Sequence, residues 1–188
     1  MVWRQLFVAT SSAAGNDGVV KINGGSGGAK PTVSLTAGGN TYGPRKQVVY
    51  TTPLTFAAFP TTSWPETTPA IGDMTPFVYS TTGSKFKENP IPGQVHLWRL
   101  MATVTSGSNS SGSLKATFLN PDSGFEINSI TILPSGSSGD PKPLTFYFYT
   151  IADQESIPAG RGYQLFLEAD QSASVVVDSF TRVSLFKD

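Results

Sequence analysis

The sequence predicts an all-β protein, an antiparallel β-sandwich preceded by a glycine-rich extended N-terminal arm. Three observations predict this class. After residue 94, six apolar runs alternate with polar residues at the period of two that is typical of strands. Glycine (19 residues) and proline (14 residues) are abundant, as in chains of short strands joined by many turns. Only 14% of the residues are charged, whereas a helical protein is richer in Glu, Lys and Ala.

Residues 1–46 are predicted to form an attachment arm. One short strand is expected at residues 3–8, and Gly, Ser, Thr and Asn dominate residues 15–43. Such a segment buries too little apolar surface to offset its ordering entropy, so it is expected to become ordered on a partner by adding strands to a foreign sheet edge. A linker or a long surface loop is the alternative. The candidate attachment residues are the apolar ones, Trp3, Phe7, Val19, Val20, Ile22, Val33 and Leu35.

Residues 47–188 are predicted to form one sandwich domain. Its first strand, at residues 47–59, is interrupted by Pro53, which cannot donate a hydrogen bond to a ladder. Residues 60–93 contain six prolines and predict a long loop that covers the sandwich. The expected anchors of this loop are Trp64, Phe77 and Phe86.

The six later runs are predicted to be strands at residues 95–105, 114–119, 127–133, 144–151, 163–170 and 175–187. The first two are expected to pair as a hairpin. If the last two also pair as a hairpin, directly opposite residues must share a face, so their turn needs three or five residues or a bulge.

Aromatic side chains are expected on both faces of the last strands. Phe180, for example, alternates with Val176 and Asp178 and so falls on the face opposite the predicted core. Left in water, such rings would forfeit about 25 cal/mol per Å² of apolar surface. Either the proline-rich loop or neighbouring subunits must cover them. The candidate subunit-interface residues are Phe146, Tyr147, Phe148, Tyr149, Phe166, Phe180 and Phe186.

The C-terminal pattern resembles a known group of domains. The run IPAGRGYQLFLEA at residues 157–169, a short loop and the closing run SFTRVSLFKD resemble the last strands of trimeric jelly-roll domains of the tumour-necrosis-factor and C1q type. They are also similar to those of phage capsid decoration and fibre-head proteins. Phe180 and Leu185 stand at the aromatic and aliphatic positions of the terminal strand in that pattern. The resemblance implies a jelly-roll homotrimer, and the viral members fit best because the secreted signalling families lack a glycine-rich arm.

The expected function is therefore that of a virion structural protein. It would decorate or cement the particle surface as a jelly-roll oligomer, with a major capsid protein or another virion protein as its partner. The alternative is a receptor- or carbohydrate-binding module, such as a fibre tip, with Trp64 as the ring on which a ligand stacks. No cofactor is expected in either case.

Composition disfavours several other classes. The formal net charge is zero, which predicts no nucleic-acid partner. No run has the length of a membrane span or the character of a signal peptide, and cysteine is absent. We therefore expect no membrane partner, and a protein made in the host cytoplasm and carried in the virion.

Few residues are candidates for a catalytic or metal-binding site, and the protein is not expected to be an enzyme. His96 has no second imidazole with which to share a metal ion, and is expected at the surface or at a strand edge. No G-x-S-x-G elbow occurs. Glu168 and Asp178 are the candidate pair for a glycosidase, although a charge cluster with Arg182 explains them more simply. The turns at 120–126 and 135–140 lack the spaced carboxylates of a calcium loop, so no metal site is predicted.

Overall fold

A computed structural model describes residues 6–8, 30–39, 41–50, 54–55, 78–80, 82–87, 92–93, 95–133, 139–153, 156 and 161–185. All regular elements in these ranges are β-strands. They are β1 (Leu6–Val8), β2 (Thr32–Leu35), β3 (Lys46–Gln47), β4 (Leu54–Thr55), β5 (Val78–Ser80), β6 (Lys85–Phe86), β7 (Val95–Ser106), β8 (Gly112–Leu119), β9 (Glu126–Leu133), β10 (Pro141–Ile151), β11 (Gln164–Ala169) and β12 (Ala173–Leu185).

Two antiparallel sheets form a jelly-roll sandwich. In sheet A the order is β2-β12-β7-β10, and β1 pairs with the far end of β12. In sheet B the order is β3-β11-β8-β9. The chain passes back and forth between the two sheets, which is the double Greek key of a jelly roll. The predicted all-β sandwich is therefore confirmed. A small third sheet, β4-β5-β6, lies between β3 and β7 in the sequence.

The predicted hairpin of residues 95–105 and 114–119 is wrong, and the hairpin considered for the last two runs does not form. β7 belongs to sheet A and β8 to sheet B, and β11 and β12 are divided in the same way. A jelly roll joins these consecutive strands across the sandwich, so their residues never lie opposite each other in one ladder. The rule on turn length between β11 and β12 therefore has no basis. Among the six strands β7 to β12, consecutive strands pair only at β8 and β9.

Part of the predicted arm belongs to the sandwich. β2 pairs with the first half of β12, and Val33 and Leu35 are buried in the core. β12 is 13 residues long, so its outer edge accommodates both β2 and β1. The expectation that residues 32–35 add to a foreign sheet is therefore corrected: they add to this chain's own sheet A. Phe7 lies in β1, whereas Trp3, Val19, Val20 and Ile22 lie outside the described residues.

Aromatic rings from both sheets fill the centre of the sandwich. Phe118 of sheet B stacks on Tyr163 at 4.8 Å and contacts Trp98 of sheet A at 5.0 Å between ring centroids. Phe86, the one loop anchor among the described residues, is fully buried in the same cluster, as predicted. Gly162 allows this, because a Cβ there would lie 2.6 Å from the carbonyl oxygen of Phe86 and φ is 137°. The proline-rich segment is thus fastened to the core at β6.

A β-bulge in β12 reverses the predicted facing of Phe180. The pairing with β7 shifts between Val177 and Ser179, so Asp178 is the extra residue. Val177 and Phe180 both face the core as a result, and Phe180 is fully buried against Trp98.

Three of the predicted interface residues are core residues. Phe146, Phe148 and Phe180 are covered on the inner face of sheet A within one chain. They have no surface to offer another subunit, so that part of the prediction is corrected. Phe186 lies outside the described residues.

Candidate functional site

The outer face of sheet A carries a row of exposed apolar side chains, named here the tyrosine strip. It comprises Tyr147, Tyr149 and Ile151 on β10 and Leu97 on β7. Tyr147 is 66% and Tyr149 61% exposed, whereas the alternate residues Phe146 and Phe148 are buried. The strip arises because β10 is apolar on both faces, while only one face meets the core.

The geometry of the strip suits contact with another molecule. Tyr149 lies directly opposite Leu97, and Tyr147 opposite Arg99. The two tyrosines are two residues apart on one strand, which separates them by about 6.6 Å along it. Tyrosine side chains provide a large apolar ring with a polar tip and are enriched at protein interfaces. The strip can therefore supply apolar contact area together with hydroxyl hydrogen bonds.

A polar cluster lies on the same face of sheet A, at the bulge of β12. It consists of Lys30, Thr103 and Asp178 and is named here the clasp. Asp178 accepts hydrogen bonds from Lys30 Nζ and from Thr103 Oγ1, each at 2.6 Å. Burial raises the pKa of the Asp178 carboxyl, but the hydrogen bonds from Lys30 and Thr103 and the charge of Lys30 outweigh it and hold the pKa below its ordinary value. The clasp fastens the segment before β2 to sheet A.

The outer face of sheet B carries an ionic network of Arg45, Lys115, Glu126 and Glu168. Arg45 donates to both carboxylate oxygens of Glu126, at 2.5 and 3.4 Å. Lys115 Nζ lies 2.5 Å from Glu168 Oε1, and Arg45 Nη2 lies 3.8 Å from the same oxygen. The four charges thus link strands from one edge of the sheet to the other.

The network also covers the aromatic rings of sheet B. The Arg45 guanidinium lies 5.9 Å from the centroid of Phe166, and Lys115 Nζ lies 4.8 Å from that of Tyr42. The side-chain hydrogen bond from Arg45 lowers the pKa of Glu126, and the same bond raises the pKa of Arg45. Phe166, a predicted interface residue, is therefore half-buried beneath an arginine of its own chain.

The structure separates the candidate catalytic carboxylates. Glu168 lies on sheet B, whereas Asp178 lies on sheet A, so the predicted pair does not form a site. The even-numbered residues of β7 face the core, and His96 is buried there beside Trp98 instead of lying at the surface.

The acidic turn at residues 120–126 is held together by its own hydrogen bonds. The side-chain oxygen of Asn120 accepts from the backbone N–H groups of Asp122 and Ser123. Lys85 Nζ pairs with Asp122 at 2.9 Å. Among the described residues, no group of three or more His, Cys, Asp or Glu side chains is placed to hold a metal ion. Nor does the described part of the chain contain a helix long and apolar enough to cross a membrane.

Sequence reasoning identified two members of the strip and missed two. Tyr147 and Tyr149 are exposed on the face where alternation places them, whereas Leu97 and Ile151 were not singled out. Alternation within β7 puts Leu97 on the same face as Arg99, and this signal would have found it. No sequence pattern predicts the ionic network on sheet B, because Arg45 and Glu126 are far apart in the chain and come into contact only when it folds. Trp64 lies outside the described residues.

Comparisons with known proteins add distant structural similarity. No protein-family model matches the chain, and no curated protein matches it. Among solved structures, the chain is similar to the CBM22-1 xylan-binding domain of Xyn10C from Paenibacillus barcinonensis. The identity is 17% and the TM-score 0.37, over 86% of this chain and 100% of that domain. A similarity this weak supports no statement about the ligand or the partner of this chain.

Proposed function

We propose that this chain is a virion structural protein that decorates the particle surface and stabilises it as an oligomeric jelly roll. In this proposal the chain binds and does not catalyse. Its partner is a major capsid protein or another virion protein, and its contact surface is the tyrosine strip.

The observation that carries the proposal is the exposure of the strip. Four large apolar side chains lie side by side on one sheet face, with Tyr147 and Tyr149 more than half exposed. Contiguous apolar patches on soluble domains mark surfaces that bind other macromolecules. A decorating protein repeats one such contact over many copies of the particle lattice, so that modest individual affinities add through multivalency.

The test uses particles purified without the protein. Adding the recombinant chain is expected to raise the temperature at which heated particles release their genome, and the chain is expected to sediment with them. The double variant Tyr147→Ala/Tyr149→Ala should lose both effects. Val49→Ala is the matched control, since Val49 is 46% exposed but follows β3 of sheet B. Failure of the wild-type chain to bind, or wild-type binding by the double variant, would contradict the proposal.

The second candidate function is a receptor- or carbohydrate-binding module. The specific observation in its favour is that two tyrosine rings are exposed on one face of one strand, where they offer a stacking platform. A glycan array probed with the wild-type chain and with Tyr149→Ala separates the candidates. A glycan signal that the variant loses would favour this function over decoration, and a blank array would remove carbohydrate binding.

A further inference from the structure

The free edge of sheet A is β10, and the two ends of this strand differ in chemistry. β10 pairs with β7 on one side, and no described strand pairs with its other side. Free edges expose N–H and C=O groups that recruit other strands, and natural proteins block them with proline, lysine or bulges. Pro141, Lys142 and Pro143 supply such protection at the start of β10. Residues 144–151, LTFYFYTI, contain no charge, no proline and no glycine.

We propose that residues 145–151 pair antiparallel with the same residues of a second copy of this chain, so that sheet A continues across a two-fold axis. The inference rests on the proposed function in one respect, because it names the oligomer partner at the edge of the same surface. The pairing gives a dimer. It replaces the three-fold arrangement that the resemblance to trimeric jelly rolls implies.

Side-chain alternation restricts the register of the pairing. Directly opposite residues in an antiparallel ladder share a face, so the numbers of paired residues must have an even sum if both outer faces are to stay outside. The register that places Tyr147 opposite Tyr149 of the second copy meets this condition. The two-fold axis repeats that contact, so two tyrosine pairs form side by side. The tyrosine strips of the two copies then become one continuous surface.

This register also avoids the groups that prevent pairing. Residues 144–151 carry no charge, so no like charges meet across the axis. Pro143 would lie opposite position 153, which is beyond the end of β10 at Ile151. The ladder therefore contains no proline, and every residue in it has an N–H group to donate.

The second sheet presents an edge at the same flank of the sandwich. β9 is the corresponding edge of sheet B, and its outward residues Ile130 and Ile132 are 61% and 73% exposed. A two-fold axis perpendicular to sheet A turns the β9 edges of the two copies towards each other, so this flank of each copy faces a second copy.

The test measures self-association of the full chain without any particle. Sedimentation velocity is expected to show a dimer that dissociates on dilution. Hydrogen exchange is expected to show that dilution accelerates exchange of amides within residues 144–151. The variant Tyr147→Lys/Tyr149→Lys places like charges opposite each other, and the dimer should weaken at least tenfold while the circular dichroism spectrum is unchanged. Val49→Lys, an added charge away from the flank, should leave the dimer intact.

Leu97→Lys separates this inference from the proposed function. Leu97 lies on the same outer face but on the inner strand β7, so its substitution should weaken particle binding and leave dimerisation unchanged. A wild-type chain that is a monomer at every concentration, or a trimer, would overturn the pairing, as would a dimer that the double lysine variant does not weaken. A monomer that still stabilises particles would overturn the pairing and leave the decorating role in place. A dimer that binds no particle would overturn the function alone.

Discussion

The two outer faces of the sandwich are built by the same alternation but are completed differently. On sheet B, Arg45 and Lys115 lie over the rings of Phe166 and Tyr42 and are neutralised by two glutamates of the same chain. On sheet A, the rings of Tyr147 and Tyr149 lie in solvent.

The difference indicates which aromatic rings are covered by side chains of their own chain. A charged side chain that lies over an aromatic ring shields it from water and keeps its own head group solvated or paired. Sheet B achieves this through side chains that come from its own strands and from the residues before β3. The β10 half of sheet A has no comparable cover among the described residues, and this exposure is the observation behind the proposed contact surface.

The largest effect is expected from Phe180→Ala, which tests whether this ring belongs to the core or to the outer face of sheet A. Because Phe180 is fully buried and stacks on Trp98 at 5.4 Å, the free energy of unfolding should fall by about 3–5 kcal/mol. Tyr147→Ala on the outer face should change it by less than about 0.5 kcal/mol. Urea denaturation of both variants measures the contrast. Similar small losses in both would place Phe180 on the surface.

The next largest effect is expected from Glu168→Ala in the ionic network. Its side chain is only 11% exposed, so its removal leaves Lys115 and Arg45 facing each other without the shared carboxylate. A loss of about 2 kcal/mol in the free energy of unfolding should follow, somewhat below the cost of breaking a fully buried pair. Glu168→Leu/Lys115→Met should restore part of this loss, because no charge is then left unpaired. A double variant less stable than Glu168→Ala would contradict the account.

A smaller effect is expected from Arg45→Ala, which uncovers the ring of Phe166. The Arg45–Glu126 pair is about one-third exposed at each end, and solvent screening limits its worth, so the loss should be about 1 kcal/mol. Arg45→Lys is the control, since it keeps the charge and loses the forked contact with Glu126. Thermal unfolding of the two variants checks the order, because Arg45→Ala should lower the Tm more than Arg45→Lys does. Equal Tm values would show that the forked contact with Glu126 and the contact with the Phe166 ring contribute no stability.

The smallest effect is expected when acid protonates the Asp178 carboxylate in the clasp of sheet A. The pKa of Asp178 in the folded chain lies below its ordinary value of 3.8. Its stabilising contribution is therefore fully present above that value and is lost as the pH falls through the lower, folded pKa. The difference in Tm between wild type and Asp178→Asn should accordingly be greater at pH 7 than at pH 3. A difference that grows with acidity would reverse the sign assigned to this group.

Local pattern predicted more of the strands than of their pairing. Alternation located β7 to β12 to within a few residues, and it placed Tyr147 on the opposite face from Phe148. It failed at Phe180, because one bulge residue changes the facing of every residue after it. It also failed for Val33 and Leu35. Their neighbours in the sequence are rich in glycine, which predicted an arm, but both side chains are buried in β2.

The sequence by itself determined that this protein is an antiparallel β-sandwich and that one strand, β10, is apolar on both faces. Composition and period-two alternation are local properties, and they are read without knowing which strands are neighbours. Only the tertiary structure decided which strands share a sheet, that Glu168 and Asp178 lie on opposite sheets, and that Arg45 reaches Glu126. These are contacts between residues far apart in the chain, and they arise from burying two apolar faces against each other.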